Sequence, residues 1–176
     1  VLKQKFITTA TVGNLNNHIG VPLTILSIGN DAQMAVIEMG ANHQKEIESY
    51  CKIALPNYAL ITNCGKAHIE GFGGEAGVRK GKGELYDFIR QCNGVIFRNT
   101  DLEYLEDMSK GIAQQITYGS ANAQYIGKPM LEGMMLSLII LTSMAETTIH
   151  SQLVGKYNFA NIMAAVAVGL HFGISI

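Results

Sequence analysis

The sequence predicts an α/β fold, a mostly parallel sheet flanked by helices, with a small antiparallel patch at about residues 124–154. Three observations predict it. Short apolar runs rich in β-branched residues alternate with runs of helical period between Lys5 and Asn99. The helical runs carry cap and stop residues at their ends. Between Gln124 and Val154, apolar pieces follow one another too closely for crossover helices.

The strand candidates come first. KFITT (Lys5 to Thr9), AVIEM (Ala35 to Met39), YALITN (Tyr58 to Asn63) and GVIFRN (Gly94 to Asn99) are short and apolar. HQKEIESYCKIAL, His43 to Leu55, reads as a helix that Asn42 can cap and Pro56 stops. Its Ile47, Tyr50, Cys51 and Ala54 share one face. Gly77 to Arg90 is a second helix, with Val78, Leu85 and Ile89 roughly on one side. Phe159 to His171 is the third, with Asn158 as cap and Gly173 just past its end. Strand, helix, strand in this order means βαβ units and a parallel sheet covered on both faces. The last region breaks the pattern. Apolar pieces around Tyr125, Met134 to Leu141 and Thr147 to Val154 are separated by Gly127-Lys128-Pro129 and Glu132-Gly133, which reads as antiparallel strands.

Composition bounds the function. The 176 residues are 48% hydrophobic and 15% charged, which gives one domain with a real core and argues against disorder. A net charge of −1 with no long basic run argues against a nucleic-acid partner. Cys51, Cys64 and Cys92 are odd in number and form no C-x-x-C pair, which fits a reducing compartment. No signal peptide is visible, and the apolar run Met134 to Leu141 is too short for a bilayer. A soluble, cytoplasmic protein with no membrane role is expected. Both ends, KFITT after Val1 and FGISI at the close, read as cut from something longer.

GVRKGKGELYDF, Gly77 to Phe88, resembles a phosphate-binding loop but is not one. A P-loop needs G-x-x-x-x-G-K-S/T; here three residues separate Gly77 from Gly81, and Gly83 stands where a hydroxyl belongs. The other Gly-Lys pairs also fail the pattern. Lys82 therefore needs another explanation.

Ligands of open α/β sheets sit beyond the carboxyl ends of the strands, so the polar residues there are the candidates. Glu38 ends an apolar strand. It either holds Mg²⁺, which prefers oxygen donors, or bonds a neighbouring backbone; position alone leaves these even. His68 lies in a glycine-rich loop, and taken alone reads as a structural histidine. Lys82 is flanked by two glycines that cost a helix about 1 kcal/mol each, and taken alone reads as a solvated lysine in a frayed first turn. Asn14, Asn16 and Asn17 crowd a turn that can also offer amides to a polar ligand. Asn158 and Asn161 share a helix face, and only the first is explained by capping.

Together the segments TVGNLNNHIGVPLTIL, AVIEMGANHQKEI, ITNCGKAHIEGFGGEAGVRKGKGELY and LVGKYNFANIMAAVAVG closely resemble the central domain of the Mur ligases, over nearly the whole chain and in the right order. The strings EMGANH and AHIEGFG are most similar to family members that add D-alanyl-D-alanine to UDP-N-acetylmuramoyl tripeptide. The resemblance implies a P-loop-type ATPase domain and formation of an amide through an acyl phosphate. It implies ATP, two Mg²⁺ sites and a CO₂-derived carbamate on Lys82, with Arg79 and Lys80 as positive neighbours that favour it. Glu38, His68 and Lys82 match the metal-holding positions, and Lys82 and His68 the catalytic ones. Asn63 opens the same motif as His68; with Asn158 and Asn161 it falls at the ATP site, and Asn16 and Asn17 face the UDP-muramoyl substrate. The family's P-loop is expected before Val1 and its C-terminal domain near Ile176. The chain, residues 1–176, is thus expected to be a fragment that is inactive alone and prone to dimerise. The alternatives are another Mur ligase, a folylpolyglutamate synthase-like ligase, a non-catalytic binding module, or part of a larger fusion.

Overall fold

A computed structural model describes residues 1–65, 69–132, 135–141 and 146–176, with side chains described for all of these but 69, 70, 131 and 132. Two sheets organise it. The first pairs β1 (Thr8–Ala10) with β2 (Met34–Val36) in parallel, joined by α1 (Gly20–Leu26). The second runs in the order β3 (Tyr58–Leu60), β4 (Val95–Asn99), β5 (Gln114–Gly119), β6 (Tyr125–Glu132), β7 (Met135–Leu141), β8 (Glu146–Val154). Its pairings are parallel from β3 through β6 and antiparallel from β6 through β8. The antiparallel strands expected at about residues 124–154 are β6, β7 and β8. They extend the main sheet through a short parallel contact, Tyr118 with Tyr125 and Gly119 with Ile126.

Helices cover both faces of this sheet, as parallel strands require. Alternation along β4 shows the two sides. Phe97 packs with Ile116, Tyr118, Leu136, Leu138 and Ile140 beneath α6 (Phe159–His171). Its neighbour Ile96 points the other way, into Tyr86 and Ile89 of α4 (Glu75–Cys92) and Leu105 of α5 (Tyr104–Met108). Each fully buried Leu or Ile here contributes about 1.5–3 kcal/mol. A third cluster joins the small sheet's helices to the rest: Val21 of α1 meets Ile47, Tyr50 and Cys51 of α2 (Glu46–Ala54), with Leu85 and Phe88 of α4 against them.

The helix expected over Phe159–His171 has those bounds, and Gly173 follows it at φ 69°. The expected cap bond is absent, however: Asn158 holds the N-cap position with helical backbone and makes no side-chain cap. The helix expected from His43 starts three residues later, at Glu46. Asn42 does not cap it; Lys45 takes the N-cap position with φ 76°, which turns the chain sharply before the helix can begin. Pro56 does end it, one residue beyond the left-handed Leu55.

Candidate functional site

Three loops leave the carboxyl ends of β1, β2 and β3, and side chains from the sequence candidates bind them together. After β1, Asn16 acts as a clamp. Its Nδ2 donates to Glu38 Oε1 at 2.7 Å, and its carbonyl accepts the Gly40 N–H at 2.7 Å. A Cβ on Gly40 would stand 3.0 Å from the Asn16 carboxamide, so the turn after Glu38 closes on Asn16 tightly enough to favour glycine. The Glu38 N–H donates to Thr11 Oγ1 at 2.8 Å. Glu38 itself lies two residues past the ladder and is exposed. The desolvation expected for a strand-end carboxylate therefore does not arise, and one of its oxygens is already oriented.

Asn17 has a different job. Its Oδ1 accepts the N–H groups of Ile19 and Gly20 at 3.0 and 2.9 Å, which caps the start of α1. Its Nδ2 takes no part in that bond pair. Gly20 is required there, because a Cβ would run into the Leu15 backbone.

After β3, the loop is held from two sides. Lys82 Nζ donates to the Asn63 carbonyl at 2.5 Å, and Tyr104 OH accepts the Cys64 N–H at 2.8 Å. The Arg79 guanidinium lies 4.8 Å from the Tyr104 ring centroid, a cation–π contact that stiffens the support. Burial pushes the Cys64 thiol up, while Lys82 and Arg79 pull it down. Lys82 sits near the middle of α4, not in a frayed first turn, and is half-buried.

Two of the three glycines near Lys82, Gly77 and Gly81, now have a cause, whereas Gly83 makes only an ordinary contact with Met108. The short helix α3 (Ile69–Phe72) folds back on α4, and a Cβ at Gly77 or Gly81 would run into the Phe72 backbone or ring. Gly71 meets the Asn42 carbonyl just as closely, so the loop after β3 touches the loop after β2. The Asn42–His43 turn is fixed by Glu46, whose Oε2 accepts both N–H groups at 2.7 and 3.0 Å. Burial works to raise the Glu46 carboxyl, and the two backbone donors, with His43 and His18 nearby, outweigh it and hold it below its ordinary value.

The structure thus brings Asn16 to Glu38 and Lys82 to Asn63 directly, and joins the two loops through Gly71 and Asn42. His68 lies outside the described residues. Asn158 and Asn161 stay at the start of α6, where Asn161 Nδ2 donates to Asn158 Oδ1 at 3.2 Å and Asn158 Nδ2 to the Val154 carbonyl at 3.0 Å. Among the described residues, no group of three His, Cys, Asp or Glu side chains could hold a metal.

A family model for the Mur ligase middle domain matches residues 1–169. The chain belongs to the Mur ligases, as a middle domain. Curated relatives of this Mur ligase domain agree. It is 39% identical over 164 residues to the UDP-N-acetylmuramoyl-tripeptide–D-alanyl-D-alanine ligase of Haemophilus influenzae, covering 93% of this chain and 36% of that protein. It is 34% identical over 178 residues to the ligase of the same name from Escherichia coli, covering 98% and 39%. Among solved structures, MurF from Acinetobacter baumannii superposes at a TM-score of 0.89 with 31% identity, over 99% of this chain and 39% of that one. The MurF ligase of Thermotoga maritima, solved in complex with ADP, superposes at 0.87 with 25% identity, over 99% and 41%. The Mur ligase domain described here thus spans well under half the length of these relatives.

Sequence reasoning missed three residues that support these loops: Tyr104, Phe72 and Glu84. Only Glu84 carried a readable signal. It follows Gly77 and Gly81 at helical spacing, on a stripe that the close-packed glycines mark as buried.

Proposed function

We propose that this Mur ligase middle domain is the nucleotide-handling part of a longer, cytoplasmic ligase that joins D-alanyl-D-alanine to UDP-N-acetylmuramoyl tripeptide in peptidoglycan synthesis. One observation carries the reading: the Asn16–Glu38 bond, and the bond by which Lys82 of α4 holds Asn63, fix loops past parallel strands that meet through Gly71 and Asn42. The names of the curated relatives support the choice of substrates. The ADP complex of a relative supports the nucleotide. Among the described residues no helix is long and apolar enough to cross a membrane.

The donors fit Mg²⁺. An exposed carboxylate is a hard oxygen ligand, and Glu38 keeps one oxygen beyond its bond to Asn16. In this reading Glu38, His68 and the carbamate form of Lys82 would hold two Mg²⁺ ions. Bound Mg²⁺ supplies charge neutralisation on the phosphate oxygens. Asn63, Asn158 and Asn161 would contact ATP, and Asn16 and Asn17 the UDP-muramoyl substrate.

The chemistry divides into two displacements. A terminal carboxylate oxygen of the tripeptide attacks the γ-phosphorus of ATP, the bond to ADP breaks, and an acyl phosphate forms. The dipeptide's amine nitrogen then attacks the acyl carbon. The C–O bond to phosphate breaks, phosphate leaves, and the nitrogen sheds a proton. The residues of this chain contribute placement, which is worth several orders of magnitude in rate when the reacting atoms are held near 3–3.5 Å. Asn16 orients Glu38. Tyr104 and Lys82 fix the loop that leads toward His68. Carbamylation of Lys82 joins CO₂ to its neutral amine and releases a proton, which turns a cationic arm into an anionic, carboxylate-like one.

The test is phosphate release by the full open reading frame that contains this chain. Turnover should require ATP, Mg²⁺, the tripeptide and D-alanyl-D-alanine together. Turnover with a single amino acid in place of the dipeptide would assign another Mur ligase. No acceptor-dependent turnover would overturn the proposal.

A further inference from the structure

We propose that Glu84 is a positioning residue that ties the lysine-bearing helix to the loop carrying Glu38, an inference that rests on the function proposed above. Glu84 stands two residues after Lys82 on α4 and is 7% exposed. It spends both carboxylate oxygens on another helix. Oε1 accepts the Lys45 N–H at 2.6 Å, and Oε2 accepts the Glu48 N–H at 3.0 Å. Those donors sit at the N-cap and the third position of α2, where helix N–H groups have no partner of their own.

Local capping would have served stability alone. Asn42 stands close by, yet its side chain does not cap α2, and Lys45 makes no side-chain cap either. A buried carboxylate is costly unless its hydrogen bonds are charge-assisted and complete, and Glu84 meets that condition only while α2 and α4 keep one relative position. What that position sets is the site. Upstream of Lys45, Glu46 holds the Asn42 and His43 N–H groups, and Asn16 holds Gly40 and Glu38. On α4, two residues before Glu84, Lys82 holds Asn63. Glu84 thus closes a chain of hydrogen bonds running from Glu38 through α2 and α4 to the loop after β3. The contact of Gly71 on the Asn42 carbonyl and the packing of Leu85 and Phe88 against α2 run parallel to it.

The test compares Glu84→Gln with Ile47→Val in the protein from the full open reading frame. Glu84→Gln keeps the size but turns an N–H toward a backbone donor. Ile47→Val loosens the core under α2 without touching the link. The first readout needs no metal: amide hydrogen exchange of the metal-free protein. Glu84→Gln should speed exchange at Lys45 and Glu48 and also across the Glu38–His43 turn, whereas Ile47→Val should affect α2 alone. The second is the Mg²⁺ concentration giving half-maximal turnover, which should rise about 10-fold or more in Glu84→Gln and hold steady in Ile47→Val. Exchange confined to α2, or an unchanged Mg²⁺ dependence in Glu84→Gln, overturns the positioning role while leaving the proposed function intact. A wild-type protein with no Mg²⁺-dependent ligation overturns both. If Glu84→Gln does not fold, Glu84→Asp, which shortens the arm by one carbon, is read by the same two measurements.

Discussion

The ring of Phe72 lies where a side chain at Gly81 would have to go. This one contact accounts for a glycine that intrinsic propensity disfavours in the middle of an 18-residue helix. It also packs α3 onto α4 one residue from Lys82.

The two glycines that flank Lys82 should therefore respond to alanine with opposite signs. At Gly83 the nearest atom to a new Cβ is Met108 Cε at 3.5 Å, an ordinary contact. Gly83→Ala should gain up to about 1 kcal/mol from helix propensity. At Gly81 the same gain is opposed by overpacking against an aromatic ring held at 4% exposure, typically about 1–3 kcal/mol. Gly81→Ala should lower the melting temperature and Gly83→Ala raise or hold it. A thermal melt of the two variants decides the matter, and equal shifts would refute the packing argument.

How much of this was legible beforehand differs by element. α6 was, because a long apolar period runs into a glycine that favours positive φ. α1 was not, since Gly20-Val21-Pro22 reads as a turn; Pro22 is tolerated because it falls in the first turn, and Gly20 is there for the approach of Leu15. β5 escaped notice because its polar start, Gln114-Gln115, hides the buried Ile116 and Tyr118. The joining of β6 to β5 rests on two residue pairs, a long-range choice with no local mark. Within the candidate site, Glu38, Asn63 and Lys82 come from the resemblance of ordered segments; residue type alone leaves Glu38 undecided and makes Lys82 a solvated lysine. Their supports at Glu84, Tyr104 and Phe72 depend on how helices pack, which periodicity constrains only to a face.

Lys82 is expected to carry a carbamate in the working ligase. Protein from the full open reading frame, equilibrated with ¹³C-bicarbonate, should give one carbamate carbon signal by NMR that Lys82→Arg lacks. Turnover in Lys82→Arg should fall by about 10²-fold or more, the scale seen when one charge-stabilising group is removed. A variant with wild-type turnover, or a signal that persists without Lys82, would rule this out.

Acid should loosen the Asn42–His43 turn before the core. Glu46 is held below the ordinary carboxyl value of 4.5: burial opposes ionisation, but the His43 and Asn42 N–H groups prevail. A carboxyl whose folded value is depressed contributes stability that is complete above its unfolded value and is lost as pH falls through the folded one. Protection of the Asn42 and His43 amides, measured against the intrinsic exchange rate at each pH, should therefore be flat from neutral pH down to about 4.5 and fall below it. In Glu46→Gln that fall should vanish, with lower protection at neutral pH. A pH profile unaltered by that substitution would show that another group controls the turn.

The chain by itself should not turn over ATP. Its 176 residues contain no G-x-x-x-x-G-K-S/T loop, so no amide cradle within them surrounds the β- and γ-phosphates. In the proposed reading Glu38, Lys82 and the asparagines would place a nucleotide's partners but leave its phosphates ungripped. β3 also ends the six-stranded sheet with an unpaired edge among the described residues, and Tyr58 upon it is 40% exposed. Such an edge invites pairing with a second copy. Purified residues 1–176 should thus release no phosphate above background with tripeptide and dipeptide present, and light scattering after size exclusion should show association that grows with concentration. Robust turnover would disprove the dependence on a P-loop supplied from outside these residues, and a monomer at every concentration would show that β3 is adequately protected by its short length.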